Sequence, residues 1–297
     1  LALSCWIVYN GFLPGNKFVD FAQMLQEAAE QRGHHATLYK NSELIALLQR
    51  NIALSGSPEL PDYVIFTDKD IYLAKQLELL GMPVYNSAET IAISDDKIRT
   101  YQLLAKNNLP MPTTLVAPKN YGLDMPFEQT FFDAVLNQFR FPFIVKEAFG
   151  SFGEQVYLIK DEKELLKIVS DISARPFMVQ EFVESSYGKD LRLQVVGDEV
   201  VASMKRTAEN DFRANVTAGG RMEPYEPSKQ ESDIALQATK AIGADFAGVD
   251  LLFGENGPVI CEINSNAHIR NLLDATGINV APHIVRYIEN RSKGASI

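Results

Sequence analysis

The stretch GVDLLFGENGPVICEINSNA, residues 248 to 267, sets oxygen-bearing side chains into two apolar runs. Asp250 lies in the first run, Glu262 and Asn264 in the second, on either side of a Gly-Glu-Asn-Gly-Pro turn. Residues two apart on a strand project from one face, so Glu262 and Asn264 point the same way. A turn centred near Asn256 puts Asp250 opposite Glu262, because the two are equidistant from it. Three hard oxygen donors without sulfur or imidazole suit Mg²⁺ or Mn²⁺ rather than zinc. A half-exposed hairpin with polar residues facing water is the competing reading. The shared parity of the three within apolar strands favours the metal.

Magnesium held by few protein ligands usually bridges nucleotide phosphates, so phosphate-binding groups are expected elsewhere. Lys146 interrupts the apolar run FPFIVKEAFG, where a charge needs a buried partner or a bound anion. Lys97 opens a helix, an unfavourable place for a cation unless an anion lies close. An exposed pair with Asp95 or Asp96 is the simpler reading of Lys97. The loop Gly150-Ser151-Phe152-Gly153 joins two strand candidates and can cover phosphates with backbone N–H groups, although a plain hairpin turn also explains it. In VQEFVE, Gln180, Glu181, Phe182 and Val183 can offer polar groups to an adenine edge and apolar ones to its face, or form a strand with one wet side. Lys205, Arg206 and Arg213 form a basic group suited to a phosphate or carboxylate, with a solvated loop as the alternative.

Other chemistries drop out. The chain lacks a P-loop, a G-x-G-x-x-G fingerprint, G-x-S-x-G and H-E-x-x-H, and its four histidines show no ligand spacing. Two distant cysteines, Cys5 and Cys261, make no disulfide framework. A net charge of −10 argues against nucleic acid or a membrane surface as partner. The apolar start LALSCWIVYNG has no basic residue ahead of it and reads as a first buried strand of a cytoplasmic protein.

The elements that must position these groups follow from periodicity. Over the first ninety or so residues, strands SCWIVYN, ATLYK, PDYVIFTD and MPVYN alternate with helices NKFVDFAQMLQEAAEQRG, SELIALLQRN and KDIYLAKQLELLG. In the first helix Phe18, Phe21, Ala22, Leu25, Ala28 and Ala29 share a face and Gly33 closes it. Such alternation implies a doubly wound parallel sheet. SDDKIRTYQLLAKNN is a helix with Ser94 or Asp95 as N-cap. Strands around residues 114, 144, 157 and 179, with helices near 133 and 167, form an α+β unit. DLRLQVVGDEVVASMKR is a hairpin turning at Gly197-Asp198, and helices follow at about 230 to 242 and 280 to 291. Domain limits are expected at 1–94, 95–184 and 185–297.

Taken in order, the early helix lysine, the strand lysine before a glycine loop, QEFV, KDLR, DFRAN, VDL and EIN resemble the ATP-grasp superfamily. VVGDEVVASMKR followed by ENDFRAN is similar to its RimK-type branch of glutamate and lysine-biosynthesis ligases. The resemblance spans about residues 90 to 290. It implies ATP sandwiched between two α+β domains behind an N-terminal pre-ATP-grasp domain, and amide formation through an acyl phosphate. It further implies Lys97, Lys146 and the Gly150, Ser151, Gly153 loop at the phosphates, and Gln180 to Val183 at adenine. Asp190 would meet ribose, and Arg213 to Asn215, including Ala214, would line the triphosphate and acyl-phosphate site; Lys146, Arg206 and Arg213 are the catalytic candidates. Mg²⁺ or Mn²⁺ would sit on Asp250, Glu262 and Asn264. Small-molecule or peptide carboxylates and amines are the implied substrates, glutamate among them, and homo-oligomerisation stays open. Where relatives carry a Ser-Pro-Gly-like turn, this chain reads NSNAHIRN, so His268 and Arg270, with Arg192, are candidates for the substrate. A non-catalytic, synapsin-like ATP-binding module and a ligase or phosphotransferase for a non-amino-acid carboxylate remain alternatives.

Overall fold

The computed structural model describes residues 2–122, 125–151, 153–214 and 220–294. Asn215 of the expected triphosphate group and Phe152 of the glycine loop lie outside the described residues. The chain begins β1 (Ser4–Tyr9), α1 (Lys17–Gln31), β2 (His35–Lys40), β3 (Ala46–Leu48), β4 (Ile52–Leu54), β5 (Tyr63–Phe66), α2 (Ile71–Leu79), β6 (Val84–Tyr85). Strands β2-β1-β5-β6 form a parallel sheet in that order. Helix α1 buries Phe21, Ala22, Met24, Leu25, Ala28 and Ala29 against it, the face read from the sequence with Met24 added and Phe18 left partly exposed. Gly33 follows at φ 80 and closes the helix.

The segment SELIALLQRN is not a helix. A short 3₁₀ turn at Asn41–Glu43 leads into the β3–β4 ribbon. Leu44 and Leu54 reach the core around Trp6, while Ile45 and Leu48 stay exposed, so no continuous helical face meets a core here.

Helix α3 (Ala88–Asp95) and α4 (Lys97–Lys106) meet at Asp96, whose extended backbone (φ −97, ψ 101) separates them. Asp96 is the N-cap of α4, its carboxylate accepting from the N–H groups of Ile98 at 2.9 Å and Arg99 at 3.2 Å. The expected caps serve elsewhere. Ser94 donates to the Ile263 carbonyl at 2.8 Å, and Asp95 pairs with Lys69.

Next come β7 (Thr114–Val116), α5 (Gln129–Gln138), β8 (Phe143–Glu147), β9 (Val156–Ile159), α6 (Glu162–Ile172) and β10 (Phe177–Glu181). They build an antiparallel sheet, β7-β10-β8-β9, with its own core of Phe131, Val135, Phe143, Val145, Phe177 and Val179. The last part contains β11 (Lys189–Val196), β12 (Glu199–Thr207), β13 (Arg221–Pro224), α7 (Lys229–Ala241), β14 (Phe246–Gly254), β15 (Gly257–Asn264), α8 (Arg270–Thr276) and α9 (Ala281–Gly294). Its antiparallel sheet runs β13-β12-β11-β14-β15, and the β11–β12 turn falls at Gly197-Asp198. Leu191, Leu193, Val249, Leu251 and Ile263 pack with α7, leaving the alternate positions to the opposite face. One core spans α1, the parallel sheet, α8, α9 and part of the C-terminal sheet, locking the first and last parts together. Among the described residues no helix is long and apolar enough to cross a membrane.

Candidate active site

The opening register holds, by a different route. The β14–β15 turn is tight, with Gly254 opposite Gly257 and Leu251 opposite Ile260. Continued without interruption, that register sets Asp250 against Cys261 and turns Glu262 to the other face. A bulge at Cys261 adds one residue and restores Asp250 opposite Glu262, with Gly248 opposite Asn264. Helix α4 holds the bulge, because the Tyr101 hydroxyl donates to the Cys261 carbonyl at 2.8 Å. Lys97 lies one turn before Tyr101 on the same helical face. Its Nζ reaches to 3.8 Å from Glu262 Oε1 and donates to the Gly150 carbonyl at 3.1 Å. So Lys97 joins Glu262 to the glycine loop instead of pairing with Asp95 or Asp96.

Lys146 of β8 is buried, its Nζ 3.9 Å from Cys261 Sγ and 5.9 Å from the centre of the Tyr101 ring. Burial opposes the ammonium charge, but the Cys261 sulfur, the Tyr101 oxygen and the Glu262 carboxylate outweigh it and hold the amine protonated above the ordinary lysine range. Tyr101 and Cys261 had no motif to mark them. The spacing of Tyr101 four residues after Lys97 was the only signal available.

On the same face a ladder of charges crosses four strands. Asp190 pairs across from Arg206, Arg192 from Asp250, and Asp250 from Glu262. Arg192 Nε donates to Asp250 Oδ1, and its Nη2 donates to Oδ2 at 2.8 Å. Arg206 Nη2 also lies 2.8 Å from Asp250 Oδ2. The Arg206 guanidinium forks onto Asp190 at 2.7 and 2.6 Å. Burial pushes the Asp190 carboxyl up to about 6 against the pull of Arg206, whereas the two guanidinium groups more than offset burial and hold Asp250 below the usual carboxylate range. Gly248 makes this packing possible, since a Cβ there would lie 2.6 Å from Ala267 Cβ and 3.0 Å from Arg192 Cδ.

The glycine loop is fixed from several sides. Gly150 has φ 136, and a Cβ there would meet Gln155 Oε1 at 2.1 Å. Arg213 Nη1 donates to the Gly153 carbonyl at 2.5 Å, and Lys69 Nζ to Ser151 Oγ at 3.3 Å. Asp211 orients Arg213 through Nε at 3.0 Å and Nη2 at 2.9 Å. Ala214 beyond it is buried. A cleft of about 640 Å³ opens here between β9 and residues 210–213, lined by Val156, Leu158, Tyr187, Phe212 and Arg213 among others. At the end of β10, Gln180 is buried and donates to Thr114 Oγ1 at 2.9 Å, while Glu181 accepts from the Thr113 N–H at 3.0 Å. Phe182 stands edge-on to Tyr187 and Phe212, 6.3 and 6.2 Å away, and the Val183 carbonyl accepts from Ser186 at 3.0 Å.

The turn after β15 is tied to the parallel sheet. Ser265 accepts at its carbonyl from Asn86 at 2.8 Å, and Asn266 donates to the Thr67 carbonyl at 3.4 Å. His268 packs edge-on to Phe18 at 4.9 Å, and its Nδ1 is buried with no hydrogen-bond partner among the described residues. Burial, with the Lys17 and Arg192 charges, lowers its pKa to about 4, so the ring is neutral. Arg270 forks onto Asp20 of α1 at 2.9 and 2.5 Å, so its guanidinium is engaged by a carboxylate of the protein itself.

Thus Lys97, Lys146, Gly150, Asp190, Arg192, Arg206, Asp250 and Glu262 gather around one ribbon, and Gly153 and Arg213 join them through the loop. Among the described residues no three His, Cys, Asp or Glu side chains converge as a ready metal cage. The donor chemistry nonetheless fits a hard divalent cation, because Asp250, Glu262 and Asn264 occupy the same face of adjacent strands.

A parallel sheet followed by two antiparallel sheets, with Lys146 from one, the acids from the other and Lys97 reaching in from helix α4, is the arrangement of an ATP-grasp protein. The fold superposes on a RimK-domain ATP-grasp protein from Sphaerobacter thermophilus with a TM-score of 0.72 at 23% identity, covering 95% of this chain and 98% of that one. D-alanine–D-alanine ligase from Bacillus anthracis gives 0.71 at 14% identity, covering 99% and 98%. Residues 94–288 match the model of the RimK-like ATP-grasp domain. Over 289 residues the chain is 36% identical to a probable alpha-L-glutamate ligase from Legionella pneumophila, with 92% of each covered. The chain belongs to the RimK-like ATP-grasp family, and its class of reaction is ATP-dependent ligation of a carboxylate to an amine.

Proposed function

We propose that this protein uses ATP and Mg²⁺ or Mn²⁺ to join an amino acid, L-glutamate, to a small-molecule or peptide partner through an amide bond. The carrying observation is the Asp250–Glu262 cross-strand pair, with Lys97 reaching Glu262 and the two arginines on Asp250. The full-length similarity to a probable alpha-L-glutamate ligase supports glutamate. Asp250, Glu262 and Asn264 are the residues to hold the cation, which when bound neutralises phosphate charge. Lys97 and Lys146 bring fixed positive charge to the phosphates, and Arg192, Arg206 and Arg213 are the guanidinium groups for the transferring phosphoryl. A carboxylate oxygen of one substrate attacks the γ-phosphorus, ADP leaves, and an acyl phosphate forms. The amine then attacks the acyl carbon, the C–O bond to phosphate breaks, and the amine proton is lost. Closure of the Gly150 loop keeps water from that intermediate.

The test is ADP release measured with a panel of carboxylates, each with and without amines, and hydroxylamine as trap. Release that requires a carboxylate, rises with glutamate and yields a hydroxamate supports the reading. Tight ATP binding without ADP release would leave a binding module, and release indifferent to amine and to hydroxylamine a phosphotransferase. Either outcome overturns the proposal.

A further inference from the structure

We infer that Arg192 and Arg206 form a latch over Asp250, so that a divalent cation gains this carboxylate only together with an anion that takes over the guanidinium groups. The inference rests on the reading of Asp250 as a ligand for the metal. Both carboxylate oxygens are occupied, Oδ1 by Arg192 Nε and Oδ2 by Arg192 Nη2 and Arg206 Nη2 at 2.8 Å each. Asp250 is 4% exposed, so these charge-assisted bonds are little screened by water or salt.

Arg206 cannot leave alone, because its other hydrogen bonds hold Asp190. Arg192, Arg206, Asp190 and Asp250 together form a formally neutral quartet. A bare dication entering beside them would displace two guanidinium groups onto nothing and leave excess positive charge in a buried place. A cation that arrives on a triphosphate brings net negative charge with it. The phosphate oxygens accept the two arginine forks, and Asp250 turns to the metal. Glu262 behaves similarly, with Lys97 Nζ at 3.8 Å and the Gly150 carbonyl sharing that lysine. The same two arginines therefore serve as positioning groups for Asp250 in the resting chain and as phosphate ligands in the loaded one. Metal and nucleotide enter as one unit, and the apo protein does not stockpile metal.

The experiment is a Mn²⁺ titration followed by electron paramagnetic resonance, using the full chain without nucleotide and with a non-hydrolysable ATP analogue. Wild type is expected to show a saturable site only with the analogue. The double variant D190N/R192Q removes one cation and one anion, so the remaining Arg206–Asp250 pair stays neutral while Asp250 Oδ1 is freed. It is expected to bind Mn²⁺ without nucleotide about tenfold or more tightly than wild type. Nucleotide-free wild type binding Mn²⁺ as tightly as the double variant overturns the latch. Should the double variant fail to fold, nucleotide-free crystals soaked in Mn²⁺ decide. An anomalous peak on Asp250 sinks the latch, and intact arginine pairs without a peak support it. D250N separates this result from the underlying reading. If D250N still binds the Mn²⁺–analogue complex like wild type, the metal assignment itself is wrong, whatever the arginines do.

Discussion

The C-terminal sheet and the β7-β10-β8-β9 sheet both bring charge to one place, but they hold it differently. In the C-terminal sheet the charged side chains are locked in buried cross-strand pairs, Arg206 on Asp190 and Arg192 on Asp250. The β7-β10-β8-β9 sheet contributes one buried lysine, Lys146, and a glycine loop. That loop is held by the tips of Lys97, Lys69 and Arg213, all reaching in from elsewhere. Long side chains on a loop can release it at little cost, whereas a buried ion pair cannot lose one partner without leaving a charge stranded. The C-terminal sheet is therefore the preorganised half of the site, and the glycine loop the half held by side-chain contacts that can be released.

Substitutions can break or sharpen this contrast. The largest effects are expected on the preorganised side. D250N and E262Q should each lower kcat by about 10³-fold or more while circular dichroism stays native, and wild-type turnover in either refutes their role. K146Q should cost about 10²-fold in kcat. On the loop side, G150A forces a side chain into a positive φ and onto Gln155. It should raise KM for ATP about tenfold and leave the melting temperature nearly unchanged, since the strain is confined to the loop.

Smaller effects are expected in the turn after β15. The His268 pKa falls from 6.5 to about 4 on folding, so the unfolded chain binds the extra proton between those values. Its contribution is intact above pH 6.5 and is lost as pH falls toward 4, by up to about 3 kcal/mol. Denaturant titrations of H268F should show a flatter pH dependence across that window; an unchanged slope contradicts a buried neutral ring. Least of all is expected of R270A. Its exposed pair with Asp20 predicts an unaltered KM for either substrate, and a large rise would restore Arg270 to the substrate site.

Much of this was legible in the residues. Alternating apolar positions located most strands, and the equidistance of Asp250 and Glu262 from the turn predicted their pairing. That pairing is achieved through a bulge at Cys261, which local pattern cannot reveal because it depends on Tyr101 of a distant helix. SELIALLQRN has the composition of a helix, but tertiary context gave it no surface to cover. Asp96 outcompeted Ser94 as cap because Ser94 bonds across to β15, a contact between residues 169 apart. The carboxylates stand out within the apolar runs, yet their arginine partners sit on other strands of the sheet and only the register unites them.

The central claim is that Asp250 and Glu262 together hold the cation of a bound metal–nucleotide. Anomalous diffraction from crystals grown with Mn²⁺ and a non-hydrolysable ATP analogue tests it most directly. A manganese peak within coordination distance of both carboxylates, with Arg192 and Arg206 turned to phosphate oxygens, is the expected result. A nucleotide bound elsewhere, with Asp250 still gripped by both arginines, contradicts it.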